Sequence, residues 1–173
     1  MKTKLVLSIA TLVIIALSVF GFFILPQSLD KVPDISLNFI DGRKIEFNSL
    51  RGKPLLVTFW STTCSTCIKE MPHLAKLYQQ LNKDGLEIIG IAMPYDPPNR
   101  VLELTESRSI PYPIALDIEG VASKAFGNIN ATPTSFLIDS LGNIIQQKTG
   151  EMNIDQLRIK IKKLLKTPPT TIS

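Results

Sequence analysis

Hydrophobic and polar positions change period several times along the chain, and each change marks an element. The first block is wholly apolar: Leu5 to Leu25, LVLSIATLVIIALSVFGFFIL, runs 21 residues without a charge. As a helix it would span roughly 30 Å, the thickness of a bilayer's hydrocarbon core. Lys2 and Lys4 precede it, so the positive-inside rule leaves the N-terminus in the cytoplasm and the rest of the chain outside. A cleaved signal peptide is the rival reading, with Ala16 and Ser18 as its small-x-small site. Such peptides carry an apolar region of about 7–15 residues, and here apolar sequence continues well past Ser18. No cysteine ends the run, which disfavours a lipoprotein. Residues 1–25 are predicted to be a retained single-pass anchor, and residues 26–31 a linker.

Beyond the linker the pattern alternates between strand and helix. Ile35 to Ile40 and Arg43 to Phe47 flank Asp41-Gly42, a dipeptide that tolerates positive φ at both central positions of a tight hairpin. Leu55 to Trp60 (LLVTFW) and Leu86 to Ala92 (LEIIGIA) are nearly continuous apolar runs, the signature of strands covered on both faces. Between them, from Cys64 to about Asn82, the period is helical, with Met71, Leu74, Leu77, Tyr78 and Leu81 on one stripe and Gly85 able to close the helix. Pro94, Pro97 and Pro98 break the chain before a shorter helix over Val101 to Arg108. A short strand at Ile114 to Leu116 and one or two helical turns at Val121 to Phe126 follow. Ser135 to Asp139 and Ile144 to Lys148 form a second hairpin, and Ile154, Leu157, Ile161, Leu164 and Leu165 give the last helix its apolar face. The pattern predicts an α/β domain over residues 32–166 with a mixed sheet between helices, then a loose tail over 167–173.

Composition narrows this further. The 173 residues suffice for one domain with an appendage, and 45% hydrophobic against 20% charged residues excludes a disordered chain. The net charge of +4 says little about partners, because 7 of the 19 basic residues are Lys2, Lys4 and the cluster Arg158 to Lys166. The body between is slightly acidic, which argues against a nucleic-acid face. The terminal cluster reads as the solvated side of a helix whose last turn favours cations.

The candidate chemistry sits at Cys64-Ser65-Thr66-Cys67, where the first buried strand hands over to the long helix. Unpaired N–H groups and the macrodipole at a helix N-terminus favour a thiolate, lowering its pKa below the free value of about 8.5. Cys67 lies one turn on, within reach of Cys64, a geometry suited to thiol–disulfide exchange. A zinc site needs two more ligands, and His73, the only histidine, falls on the opposite side of the helix from Cys64 and is expected at the surface. An inert structural disulfide stays open as an alternative.

The segment FWSTTCSTCIKEMP resembles the active-site region of the thioredoxin superfamily, and more closely its membrane-anchored ResA/TlpA/CcmG branch. VPDISLNFIDGRKIEFNSLRGKPLLVTFW, GLEIIGIAM and ATPTSFLIDSLGNIIQQKTGEM extend the likeness over roughly residues 32–166. The resemblance implies a thioredoxin-like fold with an N-terminal β-hairpin extension. It assigns Cys64 as nucleophile and Cys67 as resolving thiol. It puts Pro133 where the family has a cis-proline, with the Thr132 backbone offered to a substrate. Glu70 matches a glutamate that influences the titration of the cysteine pair; its alternative is a solvated residue paired with Lys69 or Lys76. Trp60 matches the family's earlier tryptophan, packing under the site and bordering the substrate. Pro72 matches the proline that bends this helix.

Three departures stand out. Thr58 replaces the buried aspartate of thioredoxin itself, which leaves Glu70 as the substitute proton acceptor. Thr63 stands where tryptophan is common. Ser65-Thr66 brings no cation beside Cys64, so a strongly oxidising potential is disfavoured.

The expected activity is that of an extracytoplasmic thiol–disulfide oxidoreductase on the bacterial cytoplasmic membrane, most simply a reductant of specific protein disulfides in cytochrome c maturation. It needs no cofactor beyond the Cys64–Cys67 pair. The implied partners are apocytochrome c, a membrane electron donor of the CcdA/DsbD type and the membrane itself, with no nucleic acid and a monomeric domain. A disulfide-forming oxidase or a general redox thioredoxin shares the motif. A Sco-type copper assembly factor would carry C-x3-C and a distant histidine, and a peroxiredoxin would have proline and threonine at the places of Val57 and Ser61.

Overall fold

The computed structural model describes residues 31–166. The predicted anchor and the tail lie outside the described residues, as does all of the predicted linker except Lys31. That residue forms an antiparallel bridge with Asn143. Among the described residues no helix is long and apolar enough to cross a membrane.

Seven strands form one sheet: β1 (Ser36–Phe39), β2 (Lys44–Glu46), β3 (Leu55–Trp60), β4 (Glu87–Ala92), β5 (Ile114–Leu116), β6 (Thr134–Ile138) and β7 (Ile144–Thr149). Their order is β2-β1-β5-β4-β3-β6-β7. The central β3, β4 and β5 run parallel, while β6 pairs antiparallel with β3 and β1 pairs antiparallel with β5. Among the described residues four α-helices complete the domain: α1 (Ser65–Leu81), α2 (Pro98–Ser107), α3 (Val121–Ala125) and α4 (Ile154–Lys166). This is the expected mixed sheet with helices on both faces.

Every residue of β3 is buried, and alternation sends its side chains into two cores. Leu56 and Trp60 join Met71, Leu74, Leu77 and Leu81 of α1 and Leu157 and Ile161 of α4 on one face. Leu55, Val57 and Phe59 pack on the other, under a 3₁₀ turn (Phe47–Leu50) and α3. That second core is aromatic. Phe126 stacks edge-to-face on Phe47, Phe59 and Phe136 with centroids 5.5, 5.4 and 4.9 Å apart.

Several local expectations need correcting. The first hairpin closes through three residues, Ile40, Asp41 and Gly42: Phe39 and Arg43 still pair, and only Gly42 has positive φ (+85°). A regular turn with a left-handed glycine after it serves in place of the two-residue form. The second helix starts at Pro98 rather than Val101, because proline at the first helical position lacks only an N–H that would have no partner there. The long helix ends at Leu81, before Gly85, with Tyr78 half-buried at the edge of its stripe. Gly85 (φ +108°) instead redirects the chain into β4, helped by a bond from the Leu86 N–H to the Leu81 carbonyl.

Candidate active site

Cys64 is not the first residue of α1 but its N-cap. Its backbone is extended (φ −83°, ψ 100°), and its Sγ accepts the N–H of Cys67 at 3.1 Å. A cap normally supplies an oxygen to an otherwise unpaired amide of the first turn. Here sulfur takes that place, so a first-turn amide that would otherwise have no partner points at Cys64 Sγ. The two cysteines are joined, S–S 2.03 Å, with Cα atoms 5.2 Å apart. Cys64 is half-buried whereas Cys67 is 3% exposed, so only the first sulfur is open to another protein.

The approach to Cys64 is a turn over residues 61–64, closed by a bond from the Cys64 N–H to the Ser61 carbonyl (3.1 Å). It is gripped from the loop after β4. Thr62 donates its N–H to Asp96 Oδ2 (2.6 Å) and its hydroxyl to Asp96 Oδ1 (2.5 Å).

Thr132-Pro133 is a cis peptide, as the resemblance implied. The pairing of Phe59 with Thr134 carries Pro133 level with Trp60 at the end of β3. Pro133 is buried and Thr132 half-buried before it. The Pro133 carbonyl accepts the Gly150 N–H at 2.8 Å.

Glu70 is not a solvated helix residue: it is 2% exposed, and its Oε1 accepts the Met152 N–H at 2.8 Å. Burial pushes its carboxyl above the ordinary glutamate range, opposed by the Met152 bond; nearby Glu151 adds to the rise and His73 opposes it. His73 itself is exposed. Tyr112, buried close by, has its hydroxyl pushed up first by burial and then by the Glu70 charge. Residues 150–152 thus touch both Pro133 and Glu70. This link was invisible in the sequence, because its donors are backbone groups far along the chain.

Trp60 is also 2% exposed, which corrects the expectation that it borders the substrate: its ring packs behind the dithiol with Cys67 and Met71. Thr58, in the aspartate's usual place, accepts a hydrogen bond from the Ser135 hydroxyl (3.0 Å), a neutral pair where a carboxylate would have been. Asp96 was missed altogether. Its one sequence signal, an acidic residue among prolines at the end of a buried strand, reads simply as a break.

Comparison with known proteins identifies the family. A family model described as Redoxin matches residues 27–164. The chain is 33% identical over 147 residues to the thiol-disulfide oxidoreductase ResA of Bacillus thuringiensis subsp. konkukian, covering 83% of this chain and 84% of that one. It is 31% identical over 166 residues to ResA of Halalkalibacterium halodurans, covering 92% and 93%. Among solved structures, a thioredoxin-family thiol:disulfide interchange protein from Chlorobium tepidum superposes with a TM-score of 0.69 at 26% identity, covering 80% of this chain and 98% of that one. StoA from Bacillus subtilis, at 24% identity and a TM-score of 0.65, shares the fold over 77% of this chain and 98% of its own. Sequence and structure therefore put the chain in the redoxin family, as a ResA-type thiol–disulfide oxidoreductase.

Proposed function

We propose that this oxidoreductase works as a reductant, with Cys64 as nucleophile and Cys67 as resolving thiol. The observation that carries the assignment is the capping bond. The sulfur that accepts a helix-terminal amide is the one stabilised as thiolate, and it is also the accessible one. Cys64 thiolate attacks one sulfur of a partner's disulfide and the other leaves as thiolate. Cys67, having lost its proton, attacks Cys64; the partner departs as a dithiol and the Cys64–Cys67 bond forms. Glu70, one turn beyond Cys67 and held above the usual carboxylate range, is suited to take the proton that Cys67 must lose. Thr132 offers its backbone to the bound chain beside Pro133.

Two electrons must then return to the disulfide. The reading that fits is a membrane donor of the CcdA/DsbD type, with apocytochrome c as the oxidised substrate and residues 1–25 holding the monomeric domain on the outer face of the cytoplasmic membrane. Tethering would keep donor and substrate at high effective concentration. The dithiol requires no further cofactor for this exchange.

The test is a trap. Cys67→Ala leaves the mixed disulfide on Cys64 unresolved, and apocytochromes c should be among the captured proteins. Capture of other secreted proteins without apocytochromes would overturn the maturation role and leave the chemistry standing. If Cys64–Cys67 is held oxidised in cells and the reduced dithiol passes its two electrons to an oxidase, the direction is reversed.

A further inference from the structure

Asp96 has no part in the exchange just described, yet it is a carboxylate only 6% exposed and committed to the segment that delivers Cys64. Burying a carboxylate is costly unless hydrogen bonds satisfy it. Both its oxygens are satisfied by one residue 34 positions away, through the Thr62 N–H and the Thr62 hydroxyl. Bonds to a charged acceptor are about twice as strong as neutral ones, and two from a single residue fix its peptide plane and its rotamer together. The loop bearing Asp96 is itself fastened to β3, since the Met93 N–H donates to the Trp60 carbonyl and the Asp96 N–H to the Met93 carbonyl. Thr62 is the second residue of the turn that ends on Cys64.

We propose that Asp96 is a positioning residue of the dithiol site, which acts through Thr62 to fix the turn over residues 61–64 and so holds the Cys64 sulfur against the first amides of α1. The inference rests on the dithiol chemistry and is independent of which protein the dithiol serves. The Cys67 N–H lies 3.1 Å from Cys64 Sγ, and a hydrogen bond weakens steeply with misalignment. A loosened turn therefore costs the thiolate its donor before it costs the domain its fold.

Thr62→Val removes the hydroxyl while retaining the side-chain shape, the Thr62 N–H and the charges of Asp96 and Glu70. Thr62→Ser restores the hydroxyl. Cys64 alkylation by iodoacetamide is followed across pH in the reduced full-length chain, alongside the rate of insulin disulfide reduction. For Thr62→Val the alkylation midpoint is expected to move up by about half a pH unit or more and the reduction rate to fall several-fold. Thr62→Ser should match the wild type. In an Asp96→Ala background, where the grip is already gone, Thr62→Val should add no further shift. A lowered Tm with midpoint and rate unchanged would overturn the proposal, as would an equal Thr62→Val shift in the Asp96→Ala background. A wild-type Cys64 that titrates like a free cysteine would sink the dithiol reading itself, and this inference with it.

Discussion

Glu70 is only 2% exposed, one turn beyond the buried cysteine of the dithiol. The spacing from Cys67 was plain, but a glutamate one turn along a helix is as readily solvated as buried. The difference lies in Met152, 82 residues on, whose N–H meets the carboxylate in the core. Because folding raises the Glu70 pKa, the folded state favours the protonated form. Its stabilising contribution is complete below the unfolded value of about 4.3 and is lost as pH rises through the raised value. Glu70→Gln removes this dependence. Measured by denaturant midpoint on the oxidised protein, the variant should gain stability relative to wild type as pH rises from about 4 to 8. The same substitution should slow release of the mixed disulfide near neutral pH, read as accumulation of the covalent complex. A constant stability difference across that range would show that folding does not raise the Glu70 pKa.

Strands and helices were legible from periodicity, because burial on one or both faces writes itself into the alternation of side chains. Their ends were less so. Pro98 reads as a break until the chain shows that nothing upstream needs its missing N–H, and Asp41-Gly42 promises a two-residue turn that Ile40 enlarges. Gly90, in the middle of β4, lies close against Trp60 and Ile114. A Cβ there would lie 2.7 Å from Ile114 Cδ1 and 3.0 Å from the Trp60 indole nitrogen. Gly90→Ala should cost about 1–3 kcal/mol by denaturant titration and change the emission of Trp60, the chain's only tryptophan. Unaltered emission with full stability would mean that Ile114 alone yields. Phe126→Ala, at the centre of the opposite core, should cost about 3–5 kcal/mol. It should leave the Cys64 alkylation midpoint in place, since it touches neither α1 nor the turn before it.

For the molecule as a whole, the mixed order of parallel and antiparallel strands gathers the exchange chemistry at one edge of the sheet. The parallel β3 and β4 end there, and the antiparallel β6 begins there, which is why Cys64, Asp96 and Pro133 come from distant stretches of sequence yet share a rim. The residue types were readable one by one; their assembly was not, since it depends on strand order. If residues 1–25 anchor the chain, replacing them with a cleaved export signal should leave Cys64 reactivity in the purified protein unchanged. In cells the dithiol should then become more oxidised, as measured by thiol trapping. An undisturbed redox state in cells would remove the need for a tether.

The bridge between Lys31 and Asn143 bears on which way such a domain points. Asn143 belongs to the turn joining β6 to β7, at the end of β6 remote from Pro133, and the Val32 N–H is tied to Gly142 in the same turn. Lys31 therefore lies at the heel of the molecule, about one strand length, roughly 17 Å, from its sulfur-bearing toe. If residues 1–25 hold the domain on a membrane, upright it reaches outward to soluble clients, and to collect electrons from a donor embedded below it would have to stoop.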